Sequence, residues 1–168
     1  MKKIFAIGLC GLLFFLSMAA MGEQKPDAGA LQQIKASILI VDSKDAIANW
    51  AMNPAGGDAG RIRSVPVGQK LFVPVVVTGL QTTDFGRPGI IADMQFISPD
   101  GKVFFNGSRC CSAILGDPRT PGLAVLNPVL DLTFDAGDPL GTYEIRATVT
   151  YNNSTARTSE KFALVAGE

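Results

Sequence analysis

Two adjacent cysteines, Cys110 and Cys111, are the side chains in this sequence best suited to chemistry. In an oxidising compartment such a pair is exposed to disulfide formation. A bridge between neighbours needs an unusual turn, since adjacent side chains of an extended strand point apart. Three interpretations stay open: a vicinal disulfide acting as a redox switch or loop clamp, a bridge to a second molecule, and two half-buried side chains in a long loop over residues 107–123.

The same two sulfurs predict no metal site. Thiolates select soft metals such as copper or zinc, but a complete site needs further nitrogen or sulfur ligands. The chain contains no histidine, and no methionine stands near the pair in the sequence. We therefore expect neither a metal nor any other cofactor.

Three aspartates, Asp131, Asp135 and Asp138, form a second group with possible chemistry. Carboxylate oxygens bind calcium, and pairs of them hydrolyse glycosidic bonds. The composition around Asp135 and Asp138 is nevertheless that of an ordinary turn, in which aspartates bond to their own backbone. The twelve-residue ligand spacing of an EF-hand is also missing. The group predicts a turn, and a carboxylate hydrolase is the most distant functional alternative.

The absence of histidine excludes a large part of enzyme chemistry. Nucleophiles of the Ser-His-Asp and Cys-His types require an imidazole base, and so does the HExxH zinc site. We therefore predict no catalytic residue and a protein that is not an enzyme.

Phe85 and Arg87 mark a candidate recognition loop over residues 80–89. An aromatic ring and a guanidinium on a rigid scaffold are common recognition groups. A Phe85 ring that folds back over the end of the domain is the equally weighted alternative.

The N-terminus has the composition of a secretory signal peptide. Lys2 and Lys3 precede an apolar run over residues 4–16, and small residues follow up to Gly22. This run is shorter than the roughly 20 apolar residues that a membrane span needs. We predict that residues 1–22 are cleaved and that the mature protein is periplasmic or extracellular, without a stable membrane anchor.

The charge of the mature chain argues against nucleic acid as a partner. Cleavage removes Lys2 and Lys3 and leaves two more acidic than basic side chains. Arg61 and Arg63 are the only close basic pair, so the basic patch typical of nucleic-acid binding is missing.

Strand and turn signals dominate the remaining sequence. Residues 23–35 predict a flexible lead-in, and residues 36–168 predict one domain. A β-branched run over residues 36–42 opens it, and Ile47 and Trp50 predict a short helix capped by Asp42 or Ser43. Further strands are predicted over residues 61–67, 70–79, 90–98, 102–106, 125–134, 141–151 and 155–165.

Seven to eight short strands without βαβ alternation predict an all-β fold, an antiparallel β-sandwich. Pro74 predicts a bulge or an edge position, because proline cannot donate to a ladder. Hairpins are predicted at residues 98–101, which read Ser-Pro-Asp-Gly, and at residues 151–154, which read Tyr-Asn-Asn-Ser.

Two segments resemble bacterial immunoglobulin-like domains. Residues 138–147 contain a Pro-x-Gly-x-Tyr corner ending at Tyr143, and residues 93–103 contain a strand, a Pro-Asp-Gly turn and a strand. The layout is similar to small exported bacterial proteins with such a domain. The resemblance implies an immunoglobulin-like sandwich and a structural Tyr143, whose ring is buried and whose hydroxyl bonds to nearby backbone; it implies no catalytic residue.

These observations predict a non-enzymatic binding or accessory module that recognises a protein or a glycan through its loops or a sheet edge. The alternative is a structural or assembly subunit that pairs by strand addition or by an intermolecular disulfide. No residue of the sequence identifies the partner.

Overall fold

The computed structural model describes residues 33–52, 61–80, 88–114 and 122–167, and the predicted signal peptide lies outside these ranges. The described chain is mostly β, with ten strands and one helix. The elements are β1 (Lys35–Ile38), α1 (Lys44–Met52), β2 (Ser64–Pro66), β3 (Lys70–Val73), β4 (Val75–Thr78), β5 (Pro88–Ile97), β6 (Val103–Ile114), β7 (Leu123–Val125), β8 (Leu130–Thr133), β9 (Gly141–Tyr151) and β10 (Ser154–Val165).

The strands form three sheets. The largest has the order β2-β10-β9-β5-β6, the second the order β1-β4-β7, and β3 pairs with β8. All described pairings are antiparallel except that of β2 with β10. The prediction of antiparallel sheets is confirmed except at this pair, where the three-residue β2 lies at the sheet edge beside the end of β10 and runs in the same direction.

One apolar cluster joins residues of all three sheets. It contains Leu71 of β3, Val77 of β4 and Val149 of β9, each fully buried. The alternation predicted along residues 141–151 is confirmed, since every second residue from Tyr143 to Tyr151 is buried. Burial of these side chains away from water supplies the main driving force for the fold.

Pro74 divides the strand predicted over residues 70–79. β3 before it pairs with β8, whereas β4 after it pairs with β1 and β7. Proline has no N–H to give to a ladder, but its carbonyl oxygen accepts a 3.1 Å hydrogen bond from the N–H of Leu39. The chain therefore passes from one sheet to another at this residue.

The predicted helix is confirmed as α1. The hydroxyl of Ser43 accepts the N–H of Ala46 over 3.2 Å, which is a helix cap. Ile47 is buried against Leu39, and Trp50 packs partly buried on the same small cluster. These contacts hold the helix against the β1 end of the domain.

Within the described residues, no helix has both the length and the apolar character needed to cross a membrane.

Both predicted hairpins are confirmed. Gly101, with φ of 82°, closes the turn from β5 to β6, where the N–H of Ser98 bonds the carbonyl of Lys102 over 2.9 Å. Asn152, with φ of 50°, closes the turn from β9 to β10. Glycine and asparagine are the residues that adopt these left-handed conformations most readily.

The prediction of a loop from residue 107 is wrong for residues 107–114, which continue β6. Gly107 lies opposite Met94, but Cys111 lies opposite Ala92, so four steps along β6 match two along β5. The two extra residues form a bulge, which bends the strand without ending it. Composition alone suggests a loop here because the bulge interrupts the regular strand pattern.

Candidate functional site

The bulge in β6 is held by one carboxylate on the neighbouring strand. Oδ1 of Asp93 accepts a 2.7 Å hydrogen bond from the N–H of Arg109 and lies 3.4 Å from the hydroxyl of Ser108. Arg109 has φ of 50°, a conformation that is uncommon for a residue other than glycine. Asp93 thus fixes the backbone at the point where the strand departs from regular geometry.

Gly107 starts the bulge because a side chain would not fit there. A Cβ at this position would lie 2.8 Å from Cβ of Cys110 and 2.8 Å from the ring of Phe105. Both distances are far shorter than normal carbon contacts. The glycine therefore lets Cys110 fold back over the strand.

As a result, the bulge brings the two neighbouring thiols together. The Sγ atoms of Cys110 and Cys111 lie 3.5 Å apart, and Sγ of Cys111 lies 3.7 Å from Sδ of Met94. Cys111 is 2% exposed and Met94 is fully buried, whereas Cys110 is half-buried. We call these three residues the sulfur cluster.

Backbone carbonyl oxygens face both thiols. Sγ of Cys110 lies 3.6 Å from the carbonyl oxygen of Ala92, and Sγ of Cys111 lies 3.4 Å from that of Pro128. Burial raises the pKa of the Cys111 thiol to about 12, and its hydrogen bond with Cys110 contributes in the same direction. Cys111 is therefore a neutral thiol at physiological pH.

Cys110 and Cys111 are free thiols in this structure. A disulfide has its sulfurs about 2.05 Å apart, so bonding would require the two atoms to approach by roughly 1.5 Å. Adjacent Cα atoms, about 3.8 Å apart, are also closer than the range usual for bridged cysteines. The vicinal disulfide remains a prediction.

The opposite face of the same strands carries a polar groove of about 320 Å³. Its floor crosses β6, β5 and β9, and the amide nitrogen of Gln95 donates to Oδ1 of Asn106 over 3.3 Å. We call this the polar groove, and its lining residues are Asp93, Gln95, Asn106, Ser108, Arg146 and Thr148.

Arg146 supplies the positive charge of the polar groove. Its guanidinium donates two hydrogen bonds to the carboxylate of Glu144, of 2.8 Å and 3.1 Å. This contact lowers the pKa of Glu144 and holds the guanidinium in one orientation. The groove therefore has a positive group on β9 and the Asp93 carboxylate on β5.

β6 is the outer strand of the five-stranded sheet. Near its end, Ser112 exchanges hydrogen bonds of 2.7 Å and 2.8 Å with Asn127. Before the bulge, Val103 and residues 105–107 pair with β5, and a register shift between them leaves Phe104 without a partner on that strand. No other described strand pairs with residues 103–107. Val103 is 50% exposed and Phe104 is 48% exposed, so this stretch presents apolar side chains at an open edge.

Comparison with known proteins gives distant structural likenesses only. No family model and no curated protein sequence matches the chain. The CARDB domain of the PF1109 protein from Pyrococcus furiosus, solved with di-metal ions, is 17% identical, with a TM-score of 0.42, over 83% of this chain and 100% of its own. At this level the likeness assigns no ligand.

Two larger proteins contain parts of similar shape. A family 123 glycoside hydrolase from Clostridium perfringens is 10% identical with a TM-score of 0.42, over 80% of this chain and 27% of its own. The alkylpurine DNA glycosylase AlkC from Pseudomonas fluorescens, bound to DNA, is 12% identical with a TM-score of 0.40, over 80% of this chain and 31% of its own.

Tyr143 stands at the start of β9 and is buried. Its hydroxyl donates a 2.9 Å hydrogen bond to the carbonyl oxygen of Pro139. Its ring lies 4.7 Å from that of Phe134 and stacks on Phe162 at 5.5 Å, measured between centroids. The residue joins the corner before β9 to the aromatic part of the core.

The three aspartates do not converge on a metal. Asp131 on β8 pairs with Lys70 over 2.7 Å. Oδ2 of Asp138 accepts the N–H of Asp135 over 2.7 Å, which is the local turn that the composition predicted. Within the described ranges, no group of three histidine, cysteine, aspartate or glutamate side chains is placed to hold a metal ion.

Phe85 and Arg87, the candidate recognition residues, lie outside the described residues.

Sequence reasoning missed Asp93 and Met94. Both precede the cysteines by more than fifteen residues, and only the pairing of β5 with β6 brings them together. The usable signal was the Pro-Asp-Gly turn, since a regular hairpin counted outwards from it places residues 94 and 93 opposite residues 106 and 107, close to the two cysteines in the sequence. The bulge shifts that count, and no pattern in the sequence revealed it.

Proposed function

We propose that this protein is a non-enzymatic binding module of the periplasm or the extracellular space, and that it engages an extended segment of a protein partner along β6. The N-terminal sequence supports export. Sheets packed around a shared core, a tyrosine corner and a Pro-Asp-Gly hairpin support an immunoglobulin-like sandwich. The observation that carries the proposal is the open edge over residues 103–107.

An open edge offers a row of main-chain donors and acceptors at strand spacing. The four residues that are in register with β5, Val103 and residues 105–107, give about 14 Å of edge at about 3.4 Å each, long enough to pair with a short extended peptide. Lysine, proline and bulges commonly protect such edges. Residues 103–107 contain no lysine or proline, and the one register shift among them, at Phe104, leaves residues 105–107 in regular pairing with β5. An extended polypeptide has main-chain donors and acceptors at the same spacing as the edge strand, whereas a glycan does not. We therefore prefer a protein partner.

The polar groove provides a way to select among partners. Asn106 and Ser108 of β6 line it, so it lies beside the edge strand. A strand added to β6 extends the sheet surface of which the groove is part, and polar side chains on that strand would lie near it. Asp93 is negative and Arg146 is positive, so the groove favours a partner strand whose basic side chain lies near Asp93 and whose acidic side chain lies near Arg146.

A photo-crosslinking amino acid in place of Val103 tests the proposal in the native envelope fraction. We expect a covalent adduct with a second protein, with the linkage mapped by mass spectrometry to an extended segment. The control replaces Val165, which is 39% exposed on β10, separated from β6 by β9 and β5. It should give no such adduct.

Three results would count against this function. Adducts at position 103 between two copies of the chain would support the structural or assembly subunit instead. Equal adducts at positions 103 and 165, or none at position 103, would show that the β6 edge does not bind a protein.

A further inference from the structure

Three sulfur atoms from two neighbouring strands meet at the bulge. Met94 comes from β5, and Cys110 and Cys111 come from β6. The Cys111 sulfur is central, 3.5 Å from that of Cys110 and 3.7 Å from that of Met94. Regular alternation along a strand would send Cys110 and Cys111 to opposite faces, so their convergence depends on the bulge.

These distances suit one metal ion between the sulfurs. A metal bound about 2.3 Å from each of two sulfurs, as in zinc thiolates, subtends an angle of about 100° when they are 3.5 Å apart and about 107° when they are 3.7 Å apart. Both angles lie within the range of three- or four-coordinate metals. At these separations one ion can bridge Cys111 and Cys110, or Cys111 and Met94, with ordinary bond lengths.

The ligand types favour a soft monovalent ion. Zinc takes cysteine, histidine and carboxylate ligands and closes its structural sites with four of them. Thioether sulfur together with thiolate selects Cu(I). We propose that Met94, Cys110 and Cys111 form a binding site for Cu(I), with two thiolates and one thioether as its ligands.

The balance of protons and charge follows from these ligands. Two thiols lose their protons to water as Cu(I) binds, and the thioether of Met94 coordinates without a change in charge. Copper remains Cu(I), so no electron is transferred and no oxidant is required. The bound ion neutralises one of the two thiolate charges, so the loaded site carries one negative charge beside the carbonyl oxygens of Ala92 and Pro128.

The arrangement also gives the ion a route of entry. Cys110 is half-buried, whereas Met94 and Cys111 are buried. Cu(I) carried by an exposed donor would meet Cys110 first and then pass to the two inner sulfurs. Neighbouring apolar side chains exclude water from the inner part, which protects a soft ion from hydrolysis and oxidation.

Anaerobic titration of the full chain with Cu(I) against a coloured Cu(I) chelator tests the site. A Cys10→Ser background leaves Cys110 and Cys111 as the only thiols. We expect one Cu(I) per chain, a new ultraviolet thiolate-to-metal band, and retention of the ion in excess Zn²⁺. No stoichiometric binding, or displacement by Zn²⁺, would overturn the proposal.

Three variants separate ligation from folding, with circular dichroism of each as the fold check. Cys110→Ser, at a half-buried position, should abolish the one-to-one binding. Met94→Leu removes one of the three ligands and should weaken binding by at least the 10- to 100-fold that the loss of an outer-shell partner costs. Leu126→Met, a volume-conserving change in the same core, should leave it unchanged. Undiminished binding in Cys110→Ser, or equal affinity in Met94→Leu and Leu126→Met, would refute the site.

Discussion

The N–H of Arg109 lies 2.7 Å from a carboxylate oxygen of Asp93, and this hydrogen bond connects the two faces of the β5–β6 pair. On the outer face Asp93 lines the polar groove. The same hydrogen bond holds the bulge in β6, and on the inner face this bulge directs Cys110 towards Cys111. A left-handed backbone at a residue other than glycine is costly and persists only where its surroundings determine it. Asp93 is the group that does so here.

Replacing Asp93 with alanine should destabilise the fold by about 1 kcal/mol, because the N–H of Arg109 loses its acceptor. Asp93→Asn keeps a side-chain oxygen at the same distance and should lose less than half as much. Urea unfolding of both variants provides the measurement. Identical midpoints for wild type and Asp93→Ala would show that the bulge does not depend on this carboxylate.

Gly107→Ala should cost about 1–3 kcal/mol, the usual penalty for inserting a methyl group into a packed site. Its Cβ would meet Cβ of Cys110 and the tip of the Phe105 ring at 2.8 Å. The contact with Cys110 cannot relax without moving the bulge, because a Cβ atom is fixed to its backbone. Gly137→Ala is the matched control, since a Cβ there meets nothing within 4 Å. Its unfolding free energy should stay within about 0.5 kcal/mol of wild type. Equal effects of the two changes would contradict the crowding at Gly107.

Local signals predicted much of the fold. The hairpins at Gly101 and Asn152 were predictable because each turn needs residues tolerant of left-handed backbone. The alternation before Tyr151 was predictable because one face of β9 is buried and the other is polar. Pro74 marked a break in a ladder, but where each half of the strand pairs depends on contacts remote in sequence.

The sulfur cluster could not be predicted from local sequence patterns, because it also depends on contacts remote in sequence. Cys110 and Cys111 are adjacent in the sequence, yet Met94 joins them only through strand pairing. The bulge that overrides side-chain alternation depends on Asp93, also on the other strand. Its marks in the sequence are Gly107 and an arginine at position 109, and neither residue type signals a bulge by itself.

Tyr143→Phe should reduce stability by about 1 kcal/mol. The change keeps the ring packed on Phe134 and Phe162 but leaves the carbonyl oxygen of Pro139 without its hydroxyl donor. Tyr143→Leu also removes the ring contacts and should cost at least twice as much. Thermal unfolding of both variants measures the difference. A midpoint for Tyr143→Phe equal to that of wild type would show that the corner bond contributes nothing.

The raised pKa of Tyr143 predicts that the protein loses stability at alkaline pH. Burial raises the pKa of Tyr143, and the negative charges of Asp138 and Asp100 act in the same direction. The folded state therefore favours the neutral phenol, and its contribution is fully present below the unfolded pKa of about 10 and is lost as pH rises above it. Midpoints measured from pH 8 to 11 should fall less steeply for Tyr143→Phe than for wild type. Parallel curves would contradict this assignment.

Alkylation of the native protein should modify Cys110 before Cys111, because Cys110 is half-buried and Cys111 is 2% exposed. Brief treatment with iodoacetamide followed by peptide mass mapping measures the order. In guanidinium chloride both thiols should react alike, which controls for intrinsic reactivity. In Asp93→Ala, where the bulge loses its anchor, labelling of Cys111 should increase. Equal labelling of both thiols in the folded wild type, or labelling of Cys111 unaffected by Asp93→Ala, would show that the bulge does not shield the inner sulfur.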